Sequence, residues 1–182
     1  MFLSLSKAQE VDPTTTQDDI DGLEAMVRTI TNNHFTINIT KQKHLVMAGD
    51  TIRLISSQQF RVGDTIEVYG TQGLNDGVFD IKAVDSVNNT ITVRMPSDFD
   101  SFIDGTYELA TVVLVRYPRD VAYNVLKLME YEYTTAGKKG LKSETISRLS
   151  VTYFDMTANE SREGFPASYI EWLDKYTVVK WE

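Results

Sequence analysis

The residue types that do most of the chemistry in proteins are sparse here. There are two histidines and no cysteine. His34 and His44 fall outside any HxH or HExxH spacing, so they offer no paired zinc ligands. The absence of cysteine removes disulfides and thiolate metal sites. The acids between residues 64 and 104, Asp64, Glu67, Asp80 and Asp85 among them, would have to meet in pairs to hydrolyse a glycoside. They sit in turns or alternate outward along strand-like runs, which predicts solvated surface instead. Asp98-Phe99-Asp100 lacks the glycine and glutamate spacing of a calcium loop and reads as loop capping. Gly70-Thr-Gln-Gly-Leu-Asn-Asp-Gly77 is glycine-rich, but it leads into a strand and has no Gly-Lys-Ser/Thr ending. A phosphate cradle needs amides aimed from a helix start, so a hairpin turn is expected. No serine sits in a GxSxG elbow. These residues predict a protein that is not an enzyme, with no catalytic, metal or cofactor-binding residues.

The elements that would position a binding surface are easier to read. At 182 residues, with 42% hydrophobic and 24% charged residues, the chain can build one ordinary domain or two small ones. No apolar run reaches the roughly 18 residues of a membrane span, and the start MFLSLSKAQE is too short an apolar run for a secretory signal. A net charge of −8 argues against a general nucleic-acid binder, which would carry a basic face.

The hydrophobic period changes twice. Ile20, Leu23, Met26, Val27 and Ile30 recur at helical spacing and predict a helix over about 17–32. Thr16 or Asp18 would cap it and Asn32-Asn33 would close it. From about 36 to 117 the period is near two: TIRLIS, DTIEVYG, GVFDIKAVD, TITVRM and YELATVVLVRY. Turn residues separate these runs at Gly49-Asp50, Gly63-Asp64, Asp76-Gly77, Asn88-Asn89 and Asp104-Gly105. Short strands at this spacing predict an antiparallel barrel or sandwich. After Pro118 the helical period returns. Val121, Val125, Leu128 and Met129 form a stripe widened by Ala122, Leu126 and Tyr133, and Gly137 and Gly140 mark a stop. Ile146, Leu149, Val151 and Tyr153 then suggest an extended piece or hairpin. Phe165-Pro166 opens a last helix, ASYIEWLDKY, followed by the β-branched tail TVVKWE.

The expected fold class is therefore α+β. A small, discontinuous helical-bundle domain (1–38 and 118–182) carries an inserted antiparallel β-barrel or sandwich (39–117), as neighbouring chain ends permit. The apolar tail after Tyr176 suits strand addition to a partner, with Trp181 as an aromatic anchor.

The order of parts resembles the head–tail connector, or adaptor, proteins of tailed bacteriophages. It runs from the capped first helix DDIDGLEAMVRTITNNHF through YPRDVAYNVLKLMEYEY to the last helix and tail. The most specific stretch is Ser143-Glu144-Thr145-Ile146 followed by Ser150-Val151-Thr152-Tyr153, similar to that family's S-E-x-I-x-x-x-S-V-x-Y run. The likeness covers about 100 residues at the two ends. The β stretch between the helices departs from the family's short link.

The resemblance implies a structural virion protein at the neck, assembled in the host cytoplasm. It would form a homo-oligomeric ring, typically of twelve copies in that family, beneath the portal protein. The ring would extend the DNA channel used in genome ejection and receive a downstream neck or tail-completion protein. DNA would pass without sequence recognition, and no membrane is involved. Tyr176, Thr177, Val178, Val179, Lys180 and Trp181 would bind the portal. Lys138, Lys139, Lys142, Ser143, Glu144, Thr145, Ile146, Ser147 and Arg148 would face the channel or a neighbouring subunit.

A different class of reading makes the β stretch a binding module for a carbohydrate, peptide or nucleic acid. It predicts exposed aromatics on one face, with Tyr69, Phe79, Phe99, Phe102 and Tyr107 as candidates.

Overall fold

The computed structural model describes residues 2–97, 99–135, 143–146, 149–152, 161–162 and 165–179. Among them the chain is α+β, with four α-helices and a closed six-stranded antiparallel barrel. It divides into two compact units. One comprises Met1–Phe2 with His34–Tyr117, and the other Leu3–Asn33 with Pro118–Glu182.

The first unit is the barrel. Its strands are β1 (Gln42–Gly49), β2 (Thr51–Arg53), β3 (Thr65–Tyr69), β4 (Gly77–Asp85), β5 (Thr90–Arg94) and β6 (Phe102–Val115). They close in the order β1-β2-β5-β4-β3-β6, so every strand has two neighbours. The long β6 completes the ring by pairing with β1 over Phe102–Val112 and with β3 over Thr111–Val115. Leu45, Ile52, Ile66, Phe79 and Ile91 point inward and are essentially fully buried. Each such side chain contributes about 1.5–3 kcal/mol of transfer free energy.

Two expectations fail inside this unit. Asp104-Gly105 is not a turn but part of β6, with Gly105 opposite Met47. The pairing of β1 with β6 shifts register between Met47 and Gly49, and the Asp104 carboxylate accepts the Gly49 amide there at 3.0 Å. The aspartate that looked like turn chemistry satisfies a backbone donor at a bulge. β1 itself was not predicted. A second register shift lies between Lys43 and Leu45, and His44 adopts φ +61°. Inward residues therefore fall at Gln42, Leu45 and Met47, which breaks the period of two.

The unit's two chain ends lie side by side. Thr36 bridges Val115, the Ile37 amide donates to the Leu114 carbonyl at 2.8 Å, and the Arg116 amide donates to Phe35 at 2.9 Å.

The second unit holds α1 (Leu5–Val11), α2 (Gln17–Thr31), α3 (Arg119–Thr135) and α4 (Ala167–Ile170). A 3-10 turn, Glu171–Tyr176, continues from α4. α2 starts at a capping box: the Thr16 hydroxyl accepts the Asp19 amide while Asp19 takes the Thr16 amide. This satisfies donors that a helix start leaves without partners. Asn32 closes it in the left-handed conformation. α3 buries Val121, Val125, Leu128 and Met129. Tyr133, expected to widen that stripe, is exposed.

The last helix, expected over 167–176, is α-helical for one turn only. The Trp172 indole takes the Tyr169 carbonyl at 2.7 Å, an acceptor that a continuing α-helix would use. Two small sheets complete the unit. β7 (Ser143–Ile146) pairs with β8 (Leu149–Thr152), and β9 (Ser161–Arg162) with β10 (Phe165–Pro166).

Candidate interaction surfaces

The chain end is held by polar clamps from α2. The Thr31 carbonyl accepts the Val178 amide at 2.8 Å. Asn32 donates its side-chain amide to the Val178 carbonyl at 2.9 Å, and Asn33 donates to the Tyr176 carbonyl at 3.0 Å. The asparagines that end the helix therefore also pair with the backbone of Tyr176–Val178.

Tyr176 is half-buried, and its hydroxyl donates to both oxygens of Asp120 at 2.7 and 2.8 Å. Lys175 donates to the same carboxylate at 2.6 Å. Lys175 and then Tyr176 hold the Asp120 carboxyl below its ordinary range. Burial, followed by the bond to Asp120, pushes the Tyr176 hydroxyl up, and Asp120 pushes Lys175 up. The result is a small fixed triad at the start of α3.

What the clamps leave outward is apolar. Val178 is 46% exposed and Val179 69%. Thr177 is also exposed. The other two residues expected in the tail site, Lys180 and Trp181, lie outside the described residues.

Four residues of the expected loop site form β7: Ser143, Glu144, Thr145 and Ile146. They pair with Thr152, Val151, Ser150 and Leu149 respectively. The two halves of the motif, S-E-x-I and S-V-x, thus face each other across one antiparallel pair. Among the described residues this pair is a sheet of two strands, so each strand has an outer edge of backbone donors and acceptors. Lys138, Lys139, Lys142, Ser147, Arg148 and Tyr153 lie outside the described residues.

The barrel answers differently. Of the aromatic candidates, Phe79 and Phe102 are buried against each other at 5.1 Å. Phe99 and Tyr107 pack partly on the core. Tyr69 alone of these five is exposed, at 38%. The Gly70–Gly77 segment is the link from β3 to β4 and is tied down from within. Buried Asn75 accepts the Ile103 amide at 2.8 Å and donates to the Ile103 carbonyl at 3.0 Å. Asp76 accepts both the amide and the hydroxyl of Thr71. The histidines do not meet: His34 pairs with Glu67 at 2.7 Å and His44 with Glu108 at 3.2 Å. Asp98 lies outside the described residues.

A scan against protein-family models finds no match, and a search of curated proteins returns no significant relative.

Proposed function

We propose that the chain is a structural subunit of a phage neck. In this reading it forms a ring, of twelve copies as is typical of the connector family, beneath the portal, extends the DNA channel and joins head to tail. The observation that carries the reading is the β7–β8 pair: among the described residues, the stretch resembling the connector family's run folds as a two-stranded ladder. Such a ladder is marginal alone and gains by pairing with a neighbour. A subunit of a ring has a neighbour on each side. The small helical unit plays the connector bundle, and Val178, Val179 and the residues after them form the portal-binding end. The closed barrel is a decoration between the first two long helices of that bundle. A net charge of −8 suits a channel component, since a strongly basic lining would hold DNA through many phosphate contacts.

Deleting the gene from the virus that carries it tests this. DNA-filled or leaking heads beside separate, normal tails, seen by electron microscopy of the lysate, are the expected outcome. Normally joined virions would overturn the reading.

A further inference from the structure

The helical unit carries a groove of about 760 Å³ between α2 and α3. Its lining includes Leu23, Met26, Met129 and Phe165 as apolar contacts, and Asp12, Asp18, Asp19 and Glu132 as acids. Among the described residues, no lysine, arginine or histidine lines it. Two of the acids are fixed in place by the loop that starts α2. Asp12 accepts the amide and hydroxyl of Thr14 at 2.9 and 2.7 Å, and Asp19 those of Thr16 at 2.7 and 2.6 Å. The hydroxyl and amide of Thr16 hold the Asp19 carboxyl below its ordinary range, so it is anionic at neutral pH. An apolar, methionine-containing groove rimmed by negative charge selects a basic segment with an apolar residue in it.

The segment richest in lysine that fits is Lys138-Lys139-Gly140-Leu141-Lys142, which has three cations, one leucine and no acid. We propose that the groove receives the Lys138–Lys142 segment of a second copy of the chain, so that each subunit offers an acidic socket and a basic plug. A socket and a plug on different parts of one surface make a heterologous contact, the kind that closes into a ring when repeated. This inference rests on the ring reading and names the partner surface within it.

Complementation of the gene deletion tests it by plaque titre. The socket variant is Asp18→Lys with Gly22→Lys. A Cβ at Gly22 meets nothing within 4 Å, and lysine is a better helix former than glycine. The plug variant is Lys138→Glu with Lys139→Glu. Each alone is expected to lower the titre at least tenfold relative to wild type. Co-expression of the two is expected to restore it, since socket and plug then have opposite charges in alternate copies. Thermal unfolding of each purified variant checks that it folds.

If either folded variant complements like wild type, or if co-expression rescues nothing, the socket inference falls while the ring reading stands. If the deletion alone gives normally joined virions, the ring reading falls and the inference with it.

Discussion

The two units satisfy their backbones in opposite ways. In the barrel every strand has a partner on both sides, and two amides off the ladder are met by side chains, Gly49 by Asp104 and Ile103 by Asn75. Its core is one continuous cluster of inward aliphatics and phenylalanines. The helical unit has two sheets of two strands among its described residues. It fixes its chain end with side-chain amides at the end of α2. It also presents exposed valines and an acidic groove. A unit that completes its own hydrogen bonding has little to offer a partner through its backbone. A unit with open edges does, and for that reason the proposed contacts all lie on the helical side.

The comparison makes quantitative demands. The largest concerns the barrel core. Phe79 is 1% exposed and meets Phe99 and Phe102 edge-on at 5.6 and 5.1 Å. Phe79→Ala is expected to cost about 3–5 kcal/mol. Both tryptophans, Trp172 and Trp181, belong to the helical unit. Chemical denaturation followed by tryptophan fluorescence therefore reports that unit, while far-ultraviolet circular dichroism reports both. The expected result is an early loss of the strand signal with the tryptophan midpoint little changed. A common shift of both signals would show that the units unfold as one and would break the comparison.

The next effect tests whether the barrel's polar interior is as self-sufficient as its core. Asn75 is fully buried and makes paired bonds to the Ile103 backbone. Asn75→Leu leaves the part-buried Ile103 amide and carbonyl without this partner, at a cost of up to about 1–3 kcal/mol for each group left unsatisfied. The same denaturation experiment reads it. A change within a few tenths of a kcal/mol would mean that water replaces the asparagine and that the β3–β4 link is less closed than its bonds indicate.

What could be read from the sequence follows the same division. Strands β2 to β5 were expected from their near-two period, although β4 carries a register shift between Ile81 and Ala83, as were α2, its Thr16 cap and its Asn32 close. β1 was hidden because its bulge at His44 breaks the alternation. α1 was hidden because seven residues with one buried position, Ala8, give too short a period to detect. An extended piece or hairpin was expected from Ile146, Leu149, Val151 and Tyr153, and β7 pairs with β8 there. The triad of Asp120 with Lys175 and Tyr176, and the clamps from Asn32 and Asn33, join positions far apart in the chain. Asn32-Asn33 signalled only the end of a helix. The acidic side of the groove was half visible, as Asp12, Asp18 and Asp19 are close in sequence. Its other wall comes from α3, and Tyr133 carried a helical-stripe signal that pointed to the core instead.

The smallest effect sharpens the helical side of the comparison, because it asks how firmly the chain end is held. Removing one hydroxyl with Tyr176→Phe is expected to cost about 0.5–1.5 kcal/mol, the net worth of a hydrogen bond. Tryptophan fluorescence should show it, with the barrel unaffected. The pH dependence follows from the directions of the shifts. Asp120 is lowered from 3.8, so its contribution is fully present above the unfolded value and is lost as pH falls through the folded one. Tyr176 is raised from 10.0 and Lys175 from 10.5. Their contributions are present below those unfolded values and are lost as pH rises through the folded ones. The stability difference between wild type and Asp120→Asn should therefore be a plateau through neutral pH that closes below about pH 4 and again above about pH 10. High salt should shrink the plateau, because Asp120 and Lys175 are both substantially exposed and screened. A difference independent of pH would assign the effect of Asp120 to the start of α3 alone. The chain end would then be held by Asn32 and Asn33 without help from the triad.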